Sequence, residues 1–175
     1  MGTGIIVCGL NGSGKSTLGR TLAERLHCHF IDSEDLYFPK TDPDYMYASE
    51  RTEDEVERRL LREISAHGDF VFAATRLAFA SVMPFLKLAI VMSAPREVRL
   101  KRIEARSYEK FGERMRPGGD LYERERRFLE LVGTRTDEHS TKWLNDFNGK
   151  IIRVDGTRAV GENINFILES AVGTP

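Results

Sequence analysis

Gly9-Leu10-Asn11-Gly12-Ser13-Gly14-Lys15-Ser16 fits the pattern G-x-x-x-x-G-K-[ST], and its surroundings decide how the rest of the chain is read. Before it lies the short apolar run Gly4 to Cys8, the composition of a strand buried on both faces of a parallel sheet. After it a helical pattern runs to about Leu26. A strand, a glycine-rich loop and a helix in that order form a phosphate cradle. Glycines at 9, 12 and 14 let backbone N–H groups turn inward, and the next helix aims its positive end at the same point. Lys15 supplies a full charge between β- and γ-phosphates, and Ser16 is placed to ligate magnesium. Gly9, Asn11, Gly12, Ser13, Gly14, Lys15, Ser16 and Thr17 are therefore the expected contacts of ATP with Mg2+.

Outward from the loop, strand and helix patterns alternate. His29 to Ile31 reads as a second strand ending at Asp32, and 39–50 as loop. Thr52 with Glu55 is a capping box opening a helix with Val56, Leu60, Leu61 and Ile64 on one face, ended by Gly68. Strands follow at Phe70 to Ala74 and Leu88 to Met92. A helix from Pro95 to about Tyr108 leads to a mobile loop at 109–120. Asp120 is expected to cap a further helix that buries Phe128, Leu131 and Val132, with Trp143, Leu144 and Phe147 anchoring its second part. A last strand at Ile151 to Val154, a turn at Asp155-Gly156-Thr157 and a helix from Val160 to Ala171 close the chain. This alternation predicts an α/β three-layer sandwich, a five-stranded parallel sheet with helices on both faces, in a single domain over 1–175.

The 175 residues carry a net charge of −1 and two cysteines, without repeat or low-complexity stretch. So balanced a chain carries no electrostatic bias toward nucleic acid, which is not expected as a partner. With no secretion-like leader and no 18-residue apolar span, a cytoplasmic protein is expected, as a monomer or homodimer. His27-Cys28-His29 is read as structural, since neighbours on a strand face opposite ways and no further ligand pair is evident.

The strand Phe70 to Ala74 ends in Thr75-Arg76 and not in the carboxylate that switch and motor ATPases place there, and Asp69 lies at its wrong end. Asp32 meets the requirement instead, either holding magnesium through water or accepting the proton of an attacking hydroxyl, with Asp35 close behind. Arg99, Arg102 and Arg106 share one helix face, followed by Arg114 and Arg116. Ten basic residues stand against six acidic ones between 99 and 127. Such a segment suits a lid over 106–120 whose arginines, Arg106 and Arg114 among them, stabilise charge on a transferring phosphoryl group. The competing reading is a solvated face balanced by Glu97, Glu104 and Glu109.

Together with Leu100-Lys101-Arg102-Ile103-Glu104-Ala105-Arg106 and Val154-Asp155-Gly156-Thr157-Arg158, these motifs resemble the adenylate kinase-like superfamily of nucleoside monophosphate, shikimate and gluconate kinases. The block from Phe111 to Glu123 looks like one found in uncharacterised bacterial AAA-type or kinase-like ATPases of this size. The resemblance implies that Arg102 and Arg106 begin the lid and that Gly156, Thr157 and Arg158 lie beside adenine. It also implies an acceptor segment over 32–76, with Asp32, Asp35, Arg59 and Arg76 toward the acceptor. Glu34 and Tyr37 depart from the aspartate and histidine of gluconate kinases, and Ala73-Ala74-Thr75-Arg76 departs from the glycine triplet of shikimate kinases. The expected function is thus an ATP- and Mg-dependent kinase with an unnamed small-molecule acceptor. The alternative is a nucleotide-dependent regulatory protein with weak ATPase and no acceptor.

Overall fold

The computed structural model describes residues 3–172. Five strands form one parallel sheet, β1 (Gly4–Cys8), β2 (His29–Asp32), β3 (Phe70–Ala74), β4 (Leu86–Ser93) and β5 (Lys150–Asp155), in the order β2-β3-β1-β4-β5. All five strands present their carboxyl ends to one edge, and that edge is where a doubly wound sheet binds its ligands. In register, Asp32 pairs with Ala73 and Ala73 with Val7, so Asp32 ends two strands away from the mouth of the phosphate loop.

Side-chain alternation along β1 divides the core. Ile6 and Cys8 point to one side, where Phe70, Phe72, Val56, Leu60 and Ile64 pack. Val7 points to the other, against Leu18, Leu22, Ile164 and Ile167. The first layer is closed by α3 (Glu53–His67), the second by α1 (Lys15–Leu26) and α7 (Val160–Val172). The Thr52 hydroxyl accepts from the Glu55 N–H at 3.4 Å, the cap expected for α3. Leu144 and Phe147 are buried, and Trp143 meets Phe147 edge-on at 5.4 Å.

Three expectations change. Residues 109–120 are not one loop: α4 (Arg96–Phe111) runs on three residues past Tyr108. Its cap is Gly112 with φ 55, and a 3-10 turn follows at Gly112–Met115. Only the glycine lets the backbone turn there without strain. Asp120 does not cap α5 (Tyr122–Thr134), because its carboxylate holds the Arg114 guanidinium at 2.6 and 3.0 Å. Finally, α5 turns Glu125 and Val132 inward, next to the buried N-cap residue Leu121, while leaving Phe128 and Leu131 exposed at 37% and 55%. The buried Glu125 selects that face by accepting from the Tyr45 hydroxyl at 2.8 Å. Two short helices, α2 (Ser33–Tyr37) and α6 (Asp137–Thr141), border the site.

Candidate active site

The loop between β1 and α1 is shaped for a bound anion. Gly12 and Gly14 take φ 80 and 100, the left-handed region, and Gly14 is the N-cap of α1. A Cβ on Gly12 would stand 2.4 Å from the Arg99 carbonyl oxygen, and one on Gly9 2.3 Å from that of Met92. No acidic side chain occupies the first turn of α1, so its N–H groups and dipole remain available to a phosphate. The Ser13 hydroxyl is buried with no hydrogen-bond partner, an orphaned donor in the cradle. These features fit a nucleotide phosphate, with Lys15 and Ser16 at its mouth.

Helix α4 holds the loop from behind. Arg99, only 4% exposed, donates to the Asn11 carbonyl at 3.2 Å. One turn on, Arg102 donates to the carbonyls of Gly12 and Ser13, each at 3.4 Å. Both guanidiniums thus satisfy backbone acceptors of the loop, a structural duty that the shared helix face did not disclose. On the far side of the loop, Gly156 approaches so closely that a Cβ would lie 2.4 Å from the Ser13 carbonyl oxygen. Asp155 fixes that turn by accepting from the N–H and hydroxyl of Thr157 at 2.8 and 2.6 Å. The turn Gly156-Thr157-Arg158 is thus set against the phosphate loop through Gly156.

In front of the loop opens a cavity of about 660 Å³ lined by Asn11, Lys15, Ser16, Asp32, Arg76 and Arg106, among others. Removal from water lowers the pKa of Lys15, and the positive charges of Arg106 and Arg135 add to that. The negative charges of Asp32 and Glu34 oppose it. Asp32 also accepts from the Glu34 N–H at 3.0 Å as N-cap of α2. The cap fixes the carboxyl group while leaving it on the cavity wall.

The outer wall comes from residues that no local motif announced. Tyr47 donates to Glu34 at 3.0 Å, and the Lys110 ammonium donates to the Tyr47 hydroxyl. Burial works against the Glu34 carboxylate, but the hydrogen bond from Lys40 and the charges of Lys110 and Lys40 outweigh it, leaving its pKa below the ordinary range. Arg124 lies 4.2 Å above the Tyr45 ring. Deeper in, Arg135 donates to Asn11 Oδ1 at 2.7 Å. Its pKa is lowered by burial and by Arg76, and that of His139 by burial, Arg135 and Arg76. Arg76 and Arg106 make no hydrogen bond or ion pair to any described carboxylate. Arg76, Arg106, Arg135 and His139 thus share one cavity with the carboxylates of Asp32, Glu34, Glu50, Glu53 and Glu125, and among the described residues none of the four is ion-paired.

The structure brings Lys15, Ser16, Asp32, Arg76 and Arg106 together, but not every expected residue joins them. Asp35 binds Lys40 at 2.5 Å with its side chain 60% exposed, outside the cavity. Arg59 is spent on Glu55 one helical turn back on α3. Arg114 is committed to Asp120 and the Asp44 carbonyl and is not among the residues that line the cavity. Thr17 is exposed on the first turn of α1. Arg135 and His139, missed by the sequence reading, sit after α5 and on α6 with no periodic signal. Only the folded chain carries them back to Asn11.

Fold and loop together define a protein of the P-loop nucleotide-binding fold. Within it, the chain belongs to the AAA domain family, which it matches over residues 5–128. It is 21% identical over 174 residues to the uncharacterized protein YqaC of Bacillus subtilis, covering 94% of this chain and 95% of that one. It is 30% identical over 115 residues to a cytidylate kinase of Haloarcula marismortui, covering 61% and 60% of the two chains. A gluconokinase from Sinorhizobium meliloti shares the fold at TM-score 0.56 and 17% identity, over 93% of this chain and 87% of its own. No helix among the described residues is long and apolar enough to cross a membrane.

Proposed function

We propose that the protein is an ATP- and Mg2+-dependent phosphotransferase that moves the γ-phosphate to the hydroxyl or phosphate oxygen of a small anionic acceptor. The reading rests on one observation: Lys15, Ser16 and Asp32 share a cavity with Arg76, Arg106, Arg135 and His139, and among the described residues these last four make no ion pair. A phosphoryl transfer needs positioning and charge stabilisation more than covalent chemistry. Lys15 and the loop N–H groups hold the donor phosphates, and Arg106 faces the oxygens of the group in transit. Ser16, with Asp32 directly or through water, would hold the magnesium. That ion would neutralise charge on the donor phosphates.

The acceptor enters against Arg76, Arg135 and His139, which take its anionic group, and its nucleophilic oxygen turns toward Asp32. The bond from that oxygen to the γ-phosphorus forms as the bond to the β-phosphate oxygen breaks. ADP leaves, and where the nucleophile is a hydroxyl its proton passes to Asp32. The cytidylate kinase and gluconokinase likenesses support transfer to a small molecule without naming it.

The test is ADP release by wild type and Asp32→Ala with ATP and magnesium, across nucleoside monophosphates, nucleosides, sugar acids and shikimate. Stimulation by an anionic acceptor, lost in the variant, is the expected result. ATP binding without stimulation by any member of the panel would point to the regulatory reading instead.

A further inference from the structure

At the opposite end of β2 from Asp32, three side chains meet that the phosphate chemistry does not use. His29 begins the strand, and Glu63 and His67 lie one turn apart on the last turns of α3. His29 Nε2 is 2.8 Å and His67 Nε2 3.6 Å from the same carboxylate oxygen, Glu63 Oε2. One ligand atom from each residue lies within 4.8 Å of the other two.

We propose that His29, Glu63 and His67 form a binding site for a borderline transition-metal dication, Zn2+ as its type, separate from the magnesium site. Two imidazoles and a carboxylate make an N2O donor set, which favours Zn2+, Co2+, Ni2+ or Cu2+ over Mg2+ and Ca2+. Around a tetrahedral zinc with bonds near 2.1 Å, ligand atoms stand about 3.4 Å apart. The contacts of His29 and His67 to Glu63, 2.8 and 3.6 Å, lie about 0.6 and 0.2 Å from that spacing.

The imidazole rings stack at 3.6 Å between centroids, 15° from parallel, so one ring must rotate for both lone pairs to converge. His67 is free to do so, being the last residue of α3 with its side chain 45% exposed. A dication there also meets the negative end of the α3 dipole. Solvent reaches all three side chains, at 31%, 43% and 45% exposure, which provides an entry path and water for the remaining coordination position. A bound ion would clamp the C-terminal end of α3 to β2. The β2 residues His29 and Asp32 are three positions apart, about 10 Å along a strand, so the site reads out independently of nucleotide.

The experiment is Zn2+ titration by calorimetry on tag-free, nucleotide-free protein, paired with the visible absorption of the Co2+ form and thermal melts in Zn2+ and Mg2+. One Zn2+ per chain is expected, with imidazole-type Co2+ bands and a melting temperature raised by Zn2+ but not by Mg2+. His67→Ala, at an exposed helix end where folding is not at stake, should weaken binding by more than about tenfold, and Glu63→Gln likewise. Cys28→Ser and His27→Ala should leave it unchanged. Absence of stoichiometric binding in wild type would overturn the proposal, as would affinity that survives His67→Ala or disappears with Cys28→Ser.

Discussion

The Arg135 guanidinium donates to the side-chain oxygen of Asn11 at 2.7 Å, joining positions 124 residues apart. The contact brings the segment after α5 onto the phosphate loop and sets Arg135 beside Arg76 and His139. The charged wall of the cavity is therefore assembled from β1, β3, α4 and the α5–α6 junction at once.

Arg76→Ala and Arg135→Ala are expected to raise KM for the acceptor by about 10- to 100-fold, since a hydrogen bond to a charged group is worth about 1.5–3 kcal/mol. The KM for ATP should move little in Arg76→Ala. Steady-state kinetics with the acceptor found in the ADP-release panel checks the split, and equal loss in both constants would refute it.

Arg106 and Arg114 are expected to part company. Arg106 lines the cavity and makes no ion pair among the described residues, so Arg106→Ala should cost about 100-fold or more in kcat, the scale of losing one transition-state charge partner. Arg114 is held by Asp120 on an exposed turn, and Arg114→Ala should change kcat less than about threefold, as exposed pairs contribute little. A large Arg114 effect would mean that this turn swings over the donor during turnover.

Asp32 has two duties that substitution can separate. Asn replaces Asp at a helix N-cap at little cost, whereas Ala forfeits about 1 kcal/mol. Asp32→Asn should melt close to wild type while losing about 100-fold in acceptor-dependent turnover; Asp32→Ala should lose both. Thermal melts beside ADP-release rates decide it.

Gly12→Ala is expected to abolish nucleotide binding while the domain remains folded. Its φ of 80 costs a β-carbon roughly 1–3 kcal/mol. The Arg99 carbonyl 2.4 Å from that carbon forces the loop away from α4. Calorimetric ATP titration and circular dichroism separate the two effects.

Cys8 and Cys28 should differ in reactivity. Burial raises the Cys8 thiol to about 12, partly offset by its backbone hydrogen bond and by Arg153 and Lys15. Burial and the charge of Asp69 raise the half-buried Cys28 as well, so alkylation of the native protein above the ordinary thiol value of 9.0 should label Cys28, the more accessible of the two, and spare Cys8 until the chain unfolds. The folded pKa is raised, so the Cys8 contribution to stability is full below about 9 and is lost progressively toward about 12. A native Cys8 adduct detected by mass spectrometry would contradict this.

From the residues alone came the loop from Gly9 to Ser16, the alternation that fixes a parallel sheet, the cap at Thr52 and the delivery of Asp32 to the sheet edge. Each is local: a glycine spacing, a hydrophobic period or a hydroxyl before a helix carries its physical reason within a few residues. Tertiary structure alone decided that Arg99 and Arg102 brace the loop and that Arg59 and Arg114 are held elsewhere. It also decided that Arg135 and His139 line the cavity and that His29 meets Glu63 and His67. A guanidinium or imidazole takes whichever acceptor the packed helices bring within about 3 Å. That choice depends on how α3, α4 and α5 dock, which no stretch of sequence encodes by itself.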